Sequence, residues 1–462
     1  MMKLPHILVL ALAVPGPLVA QALVKTPSDI VVVAPLPANT TASLVRDIVA
    51  ELKVEDLVAL ESRFDEQLKA ALPDESLRGL WAGVRAKAGR LKACAEPRIN
   101  WVGEFTLAFA SCTFEKESAE LRLTFSSDGR LAGMFLEAGG ASRPEWTAPA
   151  YVTQGAFRER EVQVVSGAVS LPGTLSTPAG DGPFPGVVLV HGSGPHDRDE
   201  TIGRFRPFQD LAQGLASRGI AVLRYEKRTK VYQKELAGTH DLTIRQEVID
   251  DALAAVNLLR ATPGIDRKRV FLAGHSLGAF LAPRIAVLDG SLAGVVLMAA
   301  PSRPMSEVVR DQARWLAEPG APEAQRLMAP GLLKEADALA DLYAGRPGPP
   351  SGTILGASVS YWLDLRAQLP LEAARSLGTP LLILQGERDY QVSMADFYGW
   401  KKELGGRANV VLKSYPALNH LFAPGEGRSK PAEYEKPGHV ASEVVEDIAA
   451  FVKKTPTAAI AP

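Results

Sequence analysis

The chain has 462 residues, 47% of them hydrophobic and 22% charged, with a formal net charge of −1. That length accommodates two or three domains, each with its own core. A balance this close to neutrality gives no reason to expect nucleic acid or an anionic membrane as partner, and no internal repeat points to a solenoid.

Residues 1–22 read as a secretory signal. Lys3 is the short positive region, Ile7 to Val14 an apolar core, and Pro15-Gly16-Pro17 its break. Ala20-Gln21-Ala22 fits the small-x-small cleavage rule. The apolar run is too short to span a bilayer, and no cysteine stands at the cleavage point to carry a lipid. The expectation is a soluble mature protein, periplasmic or secreted, without stable membrane insertion. Export also bears on the two cysteines, Cys94 and Cys112, which lie close together in sequence. In an oxidising compartment they are expected to pair, stabilising by roughly 3 kcal/mol in the chain-entropy model. Zinc is not expected, because no histidine or further cysteine lies near them.

After a Pro-rich leader, Thr26 to Asn39, the stretch Thr40 to Arg90 is helical in pattern. Leu44, Ile48, Leu52 and then Leu57, Leu60, Phe64, Leu68 recur at three- and four-residue spacing, and Pro73-Asp74 interrupts them. From Lys92 the period falls to two. Phe105, Leu107, Phe109 and Leu121, Leu123, Phe125 alternate, and Ser127-Asp128-Gly129-Arg130 supplies a hairpin turn. Helices followed by antiparallel strands indicate a small α+β domain over residues 40–138. It resembles the cone-shaped, nuclear-transport-factor-2-like domain of uncharacterised function that precedes some secreted bacterial hydrolases. That resemblance implies a role in dimerisation or in shaping a substrate entrance. Gly139 to Pro144 reads as a linker.

From Tyr151 apolar strands alternate with amphipathic helices, the mark of a mostly parallel sheet covered on both faces. Val162 to Val165 and Gly173 to Thr177 form an opening antiparallel pair. Gly186 to Val190, Ile220 to Tyr225, Val270 to Ala273, Gly294 to Ala299, Pro380 to Gln385 and Asn409 to Ser414 are the further strands. Thr243 to Arg260 is a helix with Thr243 and Gln246 as its capping box and Ile244, Val248, Ala252, Val256 and Leu259 as its stripe. Between 302 and 372 the alternation fails, and short helices carrying Trp315 and Trp362 suggest a lid whose aromatics line a substrate pocket. Val440 to Val452 closes the chain as a helix.

The chemistry is concentrated where Val270 to Ala273 runs into Gly274-His275-Ser276-Leu277-Gly278. A buried strand, Gly-x-Ser-x-Gly and a helix in that order make a nucleophile elbow, which holds the serine hydroxyl clear of the backbone. An ordinary turn with a serine N-cap would carry the same pentapeptide, so the other parts decide. In this arrangement the acid follows the serine and the histidine follows the acid. Asp389 lies just beyond the strand ending at Gln385 and is the orienting acid, with Glu387 the runner-up. Two histidines remain downstream, His420 and His439. His420 follows the last strand and is the expected base; His439 directly precedes the closing helix. His275 should point away from the serine hydroxyl, and His191 should support a turn. His191-Gly192-Ser193-Gly194 follows a buried strand, so the Ser193 and Leu277 N–H groups are the expected oxyanion donors.

Together these pieces resemble the α/β-hydrolase superfamily over residues 151–455, and in particular secreted bacterial esterases. The matching runs are His191-Gly192-Ser193-Gly194-Pro195, Asp197-Arg198-Asp199-Glu200, the elbow, Gly386-x-x-Asp389 and Asn419-His420. The resemblance implies an α/β-hydrolase fold and a serine carboxylesterase acting on short to medium acyl esters, with no metal or organic cofactor. Phe205-Arg206-Pro207 departs from the pattern. The same triad would serve a peptidase or an acyl thioesterase, and the same scaffold a non-catalytic binding protein.

Overall fold

The computed structural model of the chain describes residues 36–72, 74–102, 105–138, 146–236, 242–319, 323–349 and 352–456, which fall into two compact units divided after Glu145. The expected signal segment and the linker Gly139 to Pro144 lie outside the described residues.

In the amino-terminal unit four helices, Ala38–Val54, Leu57–Ser62, Glu66–Ala71 and Asp74–Ala88, precede five strands. Asp56 and Asp65 accept the Ala59 and Leu68 N–H groups, capping the second and third helices. The strands are β1 (Leu91–Cys94), β2 (Arg98–Val102), β3 (Phe105–Phe114), β4 (Ser118–Phe125) and β5 (Leu131–Ala138). They form an antiparallel sheet in the order β1-β3-β4-β5, with β2 also paired to β3. Leu121, Leu123 and Phe125 point from β4 into one core with Ile48, Leu52, Leu60 and Phe64, so the two periodicities meet there. Cys94 and Cys112 face each other across β1 and β3 and are joined by a disulfide. It closes a loop with a sequence separation of 18. Reducing it should therefore lower the unfolding free energy of this unit by about 3 kcal/mol. Urea unfolding with and without reductant measures the loss.

The second unit opens with an antiparallel pair, β6 (Phe157–Ser166) and β7 (Val169–Pro178). Then come β8 (Phe184–Val190), β9 (Ala221–Tyr225), β10 (Ile265–His275) and β11 (Gly294–Met298). Helices Met305–Leu316 and Glu323–Tyr343, the hairpin of β12 (Thr353–Ile354) with β13 (Ala357–Ser358), and helix Val359–Arg366 are inserted next, ahead of β14 (Leu381–Gly386) and β15 (Val410–Tyr415). The sheet runs β15-β14-β11-β10-β8-β9-β7-β6, parallel from β15 to β9.

Successive residues of the central strands enter different cores. Val188, Val190, Val270, Leu272, Val295 and Leu297 pack on one face, with helices Asp250–Ala261 and Leu277–Asp289. Val187, Leu189, Phe271, Ala273, Val296 and Met298 pack on the other, with helices Pro207–Ala216 and Ser442–Lys454. Burial on both faces is why these strands read as unbroken apolar runs, each such side chain contributing about 1.5–3 kcal/mol.

Two expectations are corrected. The helix expected from Thr243 does carry its reciprocal Thr243–Gln246 cap, but its first turn, Arg245–Ile249, is a π-helix before the α-helix Asp250–Ala261 begins. Glu247, Val248 and Ile249 are buried in succession along this turn. Trp362 does not present its ring to a substrate pocket. It is 4% exposed within the first core, and its indole N–H is donated to the Ile354 carbonyl at 2.7 Å, fastening helix Val359–Arg366 to the β12–β13 hairpin.

Candidate active site

β10 delivers Ser276 at the parallel sheet's carboxyl edge and the helix Leu277–Asp289 carries the chain away. Between them Ser276 takes φ 52° and ψ −114°, a conformation costing a non-glycine residue about 1–3 kcal/mol. Its surroundings hold it there. The Ser276 N–H is donated to the Met298 carbonyl at 2.9 Å, and the Ser276 carbonyl accepts the Phe280 N–H at 2.9 Å. A Cβ on Gly274 would lie 2.6 Å from the Ala279 nitrogen, and one on Gly278 2.6 Å from the His191 carbonyl oxygen. Both positions therefore exclude a side chain, and the turn packs directly against the end of β8. Leu277 opens the helix, so its N–H has no intrahelical acceptor. Gly192 lies alongside, where an added Cβ would come within 3.2 Å of the Ser276 Cβ.

His420 and Asp389 meet as a buried pair, Nδ1 donating to Oδ2 at 2.6 Å. The carboxylate is fixed by further contacts of the loop after β14. Its Oδ1 accepts the Gln391 and Val392 N–H groups at 2.7 and 3.0 Å, and its Oδ2 accepts the Gln385 amide at 3.2 Å; the Asp389 N–H closes the turn onto the Gly386 carbonyl. The histidine loop is equally built. Asn419 Oδ1 accepts the Leu421 and Ala423 N–H groups, and Gly386 leaves room where a Cβ would lie 2.5 Å from the Asn419 carbonyl. Glu387, the runner-up acid, is exposed and accepts the Ser414 hydroxyl at 2.8 Å. His439 donates to Asp210 at 3.1 Å, and that carboxylate's hydrogen bond raises its pKa. His191 is buried among Phe208 and Tyr225 and donates to the Asp197 carbonyl; burial lowers its pKa to about 3, so it is neutral at working pH.

Sequence reasoning missed two charged residues at this site. Glu200 is fully buried at φ 51°, with Oε1 accepting the Gly192 N–H at 2.6 Å and Oε2 3.0 Å from His275 Nδ1. His275 Nε2 in turn donates to the His420 carbonyl at 3.0 Å. Burial by itself would raise the Glu200 pKa, but the His275 charge overrides it and holds the group at about 2; burial pulls His275 down, and the Glu200 carboxylate more than restores it, leaving a raised value. One carboxylate–imidazole pair thus ties the Gly192 turn to the histidine loop behind the serine. The second is Lys227, just past β9, whose ammonium donates to the Gly192 carbonyl at 2.9 Å. The rest of the acidic run is structural. Asp197 accepts the Thr201 N–H, Arg198 pairs with Glu161 and Glu226, and Asp199 pairs with Arg224. The one signal available in sequence was the run itself, which carried no roles.

Trp315 stacks on Tyr390 with ring centroids 4.3 Å apart, in an apolar cluster with Phe205, Leu316, Leu421 and Tyr434. Helix Met305–Leu316 is thereby seated on the residues beside Asp389 and His420, and Gln312 adds a bond to the Gln391 carbonyl. Phe205, which broke the expected pattern, is part of this wall.

The alpha/beta hydrolase family model matches residues 187–442, and the model of a protein of unknown function, DUF3887, matches residues 45–134. Esterase EstD of Thermotoga maritima is 39% identical over 407 residues, covering 88% of this chain and 94% of its own. Esterase FrsA of Escherichia coli is 29% identical over 147 residues, 32% of each chain. A solved structure of a Pyrococcus furiosus esterase aligns with 67% of this chain and 98% of its own at 19% identity and a TM-score of 0.42.

Proposed function

The chain belongs to the alpha/beta hydrolase family and is a carboxylic ester hydrolase, and from that premise we propose that it cleaves short to medium acyl esters through Ser276, His420 and Asp389. The observation that carries the reading is the buried His420–Asp389 pair at 2.6 Å, with the His420 carbonyl bonded by His275, the residue before a serine held at φ 52°. Ser276 Oγ attacks the ester carbonyl while His420 takes its proton; Asp389 holds the ring and stabilises the imidazolium. The Ser193 and Leu277 N–H groups receive the charge that develops on the carbonyl oxygen. His420 then passes its proton to the leaving alkoxide, and water resolves the acyl-enzyme by the same steps in reverse. Trp315, although as buried as Trp362, is stacked on Tyr390 and clustered with Leu421, the neighbours of Asp389 and His420, and on this reading it backs the acyl side of the site. The amino-terminal signal pattern and the disulfide support export to a periplasmic or extracellular space.

The test is a profile of kcat/KM across p-nitrophenyl esters of rising chain length, beside an anilide and a thioester of the preferred acyl group. Ester cleavage should dominate and peak at short to medium chains, and Trp315→Ala should move the peak toward longer ones. Faster anilide or thioester cleavage would reassign the enzyme to peptidase or thioesterase.

A further inference from the structure

Lys227 is a buried cation that the triad chemistry does not use, and its position addresses the oxyanion hole. Among the described residues its ammonium has two partners, the Gly192 carbonyl oxygen at 2.9 Å and the Glu247 carboxylate at 3.2 Å. Gly192 C=O and Ser193 N–H are the two ends of one peptide unit, and that unit is trans, the one cis bond among the described residues being Gly182–Pro183. In a planar trans unit the carbonyl and the N–H point in opposite directions. Holding the carbonyl against Lys227 therefore sets the direction of the Ser193 N–H, away from the lysine. A cation on the oxygen of an amide also draws electron density from its nitrogen, which makes the N–H a stronger donor. At the preceding peptide, the Gly192 N–H is held by Glu200. Gly192 is thus gripped on both sides, next to Ser276.

We propose that Lys227 is a positioning residue for ester hydrolysis: it orients and polarises the Gly192–Ser193 peptide so that the Ser193 N–H is preset for the transition-state oxyanion. The proposal rests on the assignment of Ser193 as an oxyanion donor. Glu247 supplies the counter-charge that lets a lysine occupy this depth. Its remaining acceptor capacity is used by the Thr229 hydroxyl at 3.0 Å and the Tyr361 hydroxyl at 2.8 Å. Through Tyr361, the inserted helix Val359–Arg366 also braces this arrangement.

Lys227→Met removes the donor, and Lys227→Met/Glu247→Gln removes it without leaving a buried unpaired carboxylate, since the amide oxygen still accepts from Thr229 and Tyr361. Both are assayed on a short p-nitrophenyl ester and against a trifluoromethyl ketone, which adds to Ser276 and leaves an oxyanion. The wild-type adduct is crystallised in parallel. The expected result is a fall in kcat of roughly ten- to a hundredfold, somewhat less than removal of a whole oxyanion donor. KM should stay within about twofold, and the ketone Ki should rise by the same factor as kcat/KM falls. A merely structural role would not link those two quantities. Wild-type kcat and Ki in the folded double variant, with the adduct oxygen on the Ser193 nitrogen, would overturn the role of Lys227 alone. An adduct oxygen seated away from Ser193 would overturn the oxyanion assignment itself.

Discussion

His420→Ala should lower kcat for ester hydrolysis by about 10⁴-fold or more, nearly as much as Ser276→Ala, and the double variant should be little worse than either. A serine hydroxyl is a weak nucleophile until a base takes its proton, so losing either group disables the same step. The pairing of His420 with Asp389 supplies the base and fixes its tautomer, because Nδ1–H is committed to the carboxylate and Nε2 is left free to accept. His439 offers the contrast. Its Nδ1 is committed to Asp210, a buried carboxylate that also accepts the Trp146 indole N–H and the Val440 N–H. His439→Ala should therefore leave kcat within a few-fold. Steady-state kinetics of the four variants beside the wild type, each checked for folding by circular dichroism, decides the point. A folded His420→Ala enzyme that keeps its turnover while His439→Ala loses it would move the base.

The second large effect concerns Glu200. Glu200→Ala leaves the buried His275 ring without its carboxylate neighbour and the Gly192 N–H without its acceptor, and removing one member of a buried pair costs about 3–5 kcal/mol. Glu200→Gln keeps an acceptor for Gly192 but deletes the charge, which isolates the electrostatic part. The pH dependence follows from the two shifts. Glu200 is depressed to about 2, so its contribution is complete above its unfolded value near 4.5 and fades as the pH falls toward 2. His275 is raised, so its contribution is complete below its unfolded value near 6.5 and fades as the pH climbs through the folded one. The stability gap between wild type and Glu200→Gln should therefore be widest between about pH 4.5 and 6.5 and narrow on both sides. Urea unfolding from acid to mildly alkaline pH measures it, and a gap independent of pH would mean that the pair carries no charge.

The order of parts along the chain is legible in the amino-acid sequence alone. Val187 to Val190, Phe271 to Ala273, Val295 to Met298 and Leu381 to Leu384 announce a doubly covered parallel sheet, because each residue of such a strand is buried whichever way it points. Ser276, Asp389 and His420 sit at the ends of such strands or the loop after one, and strand ends survive in sequence as a change from apolar to polar. The Cys94–Cys112 pairing is similarly accessible, as the one pair available.

What only tertiary structure decided are the contacts between segments that no periodicity connects. His275 reaches the His420 carbonyl across 145 residues, and Lys227 reaches Gly192 across 35. Lysine and glutamate are mostly surface residues, so residue type by itself gives no sign that Glu200, Lys227 and Glu247 are buried. They are inside because each found a charge or a backbone group to satisfy it there, and that partner exists only once β8, β9 and β10 lie side by side. The expectation for Trp362 failed for the same reason in reverse. An aromatic in a helical insertion can face a pocket or the core, and the choice was made by packing and by the Ile354 carbonyl that its indole N–H could reach.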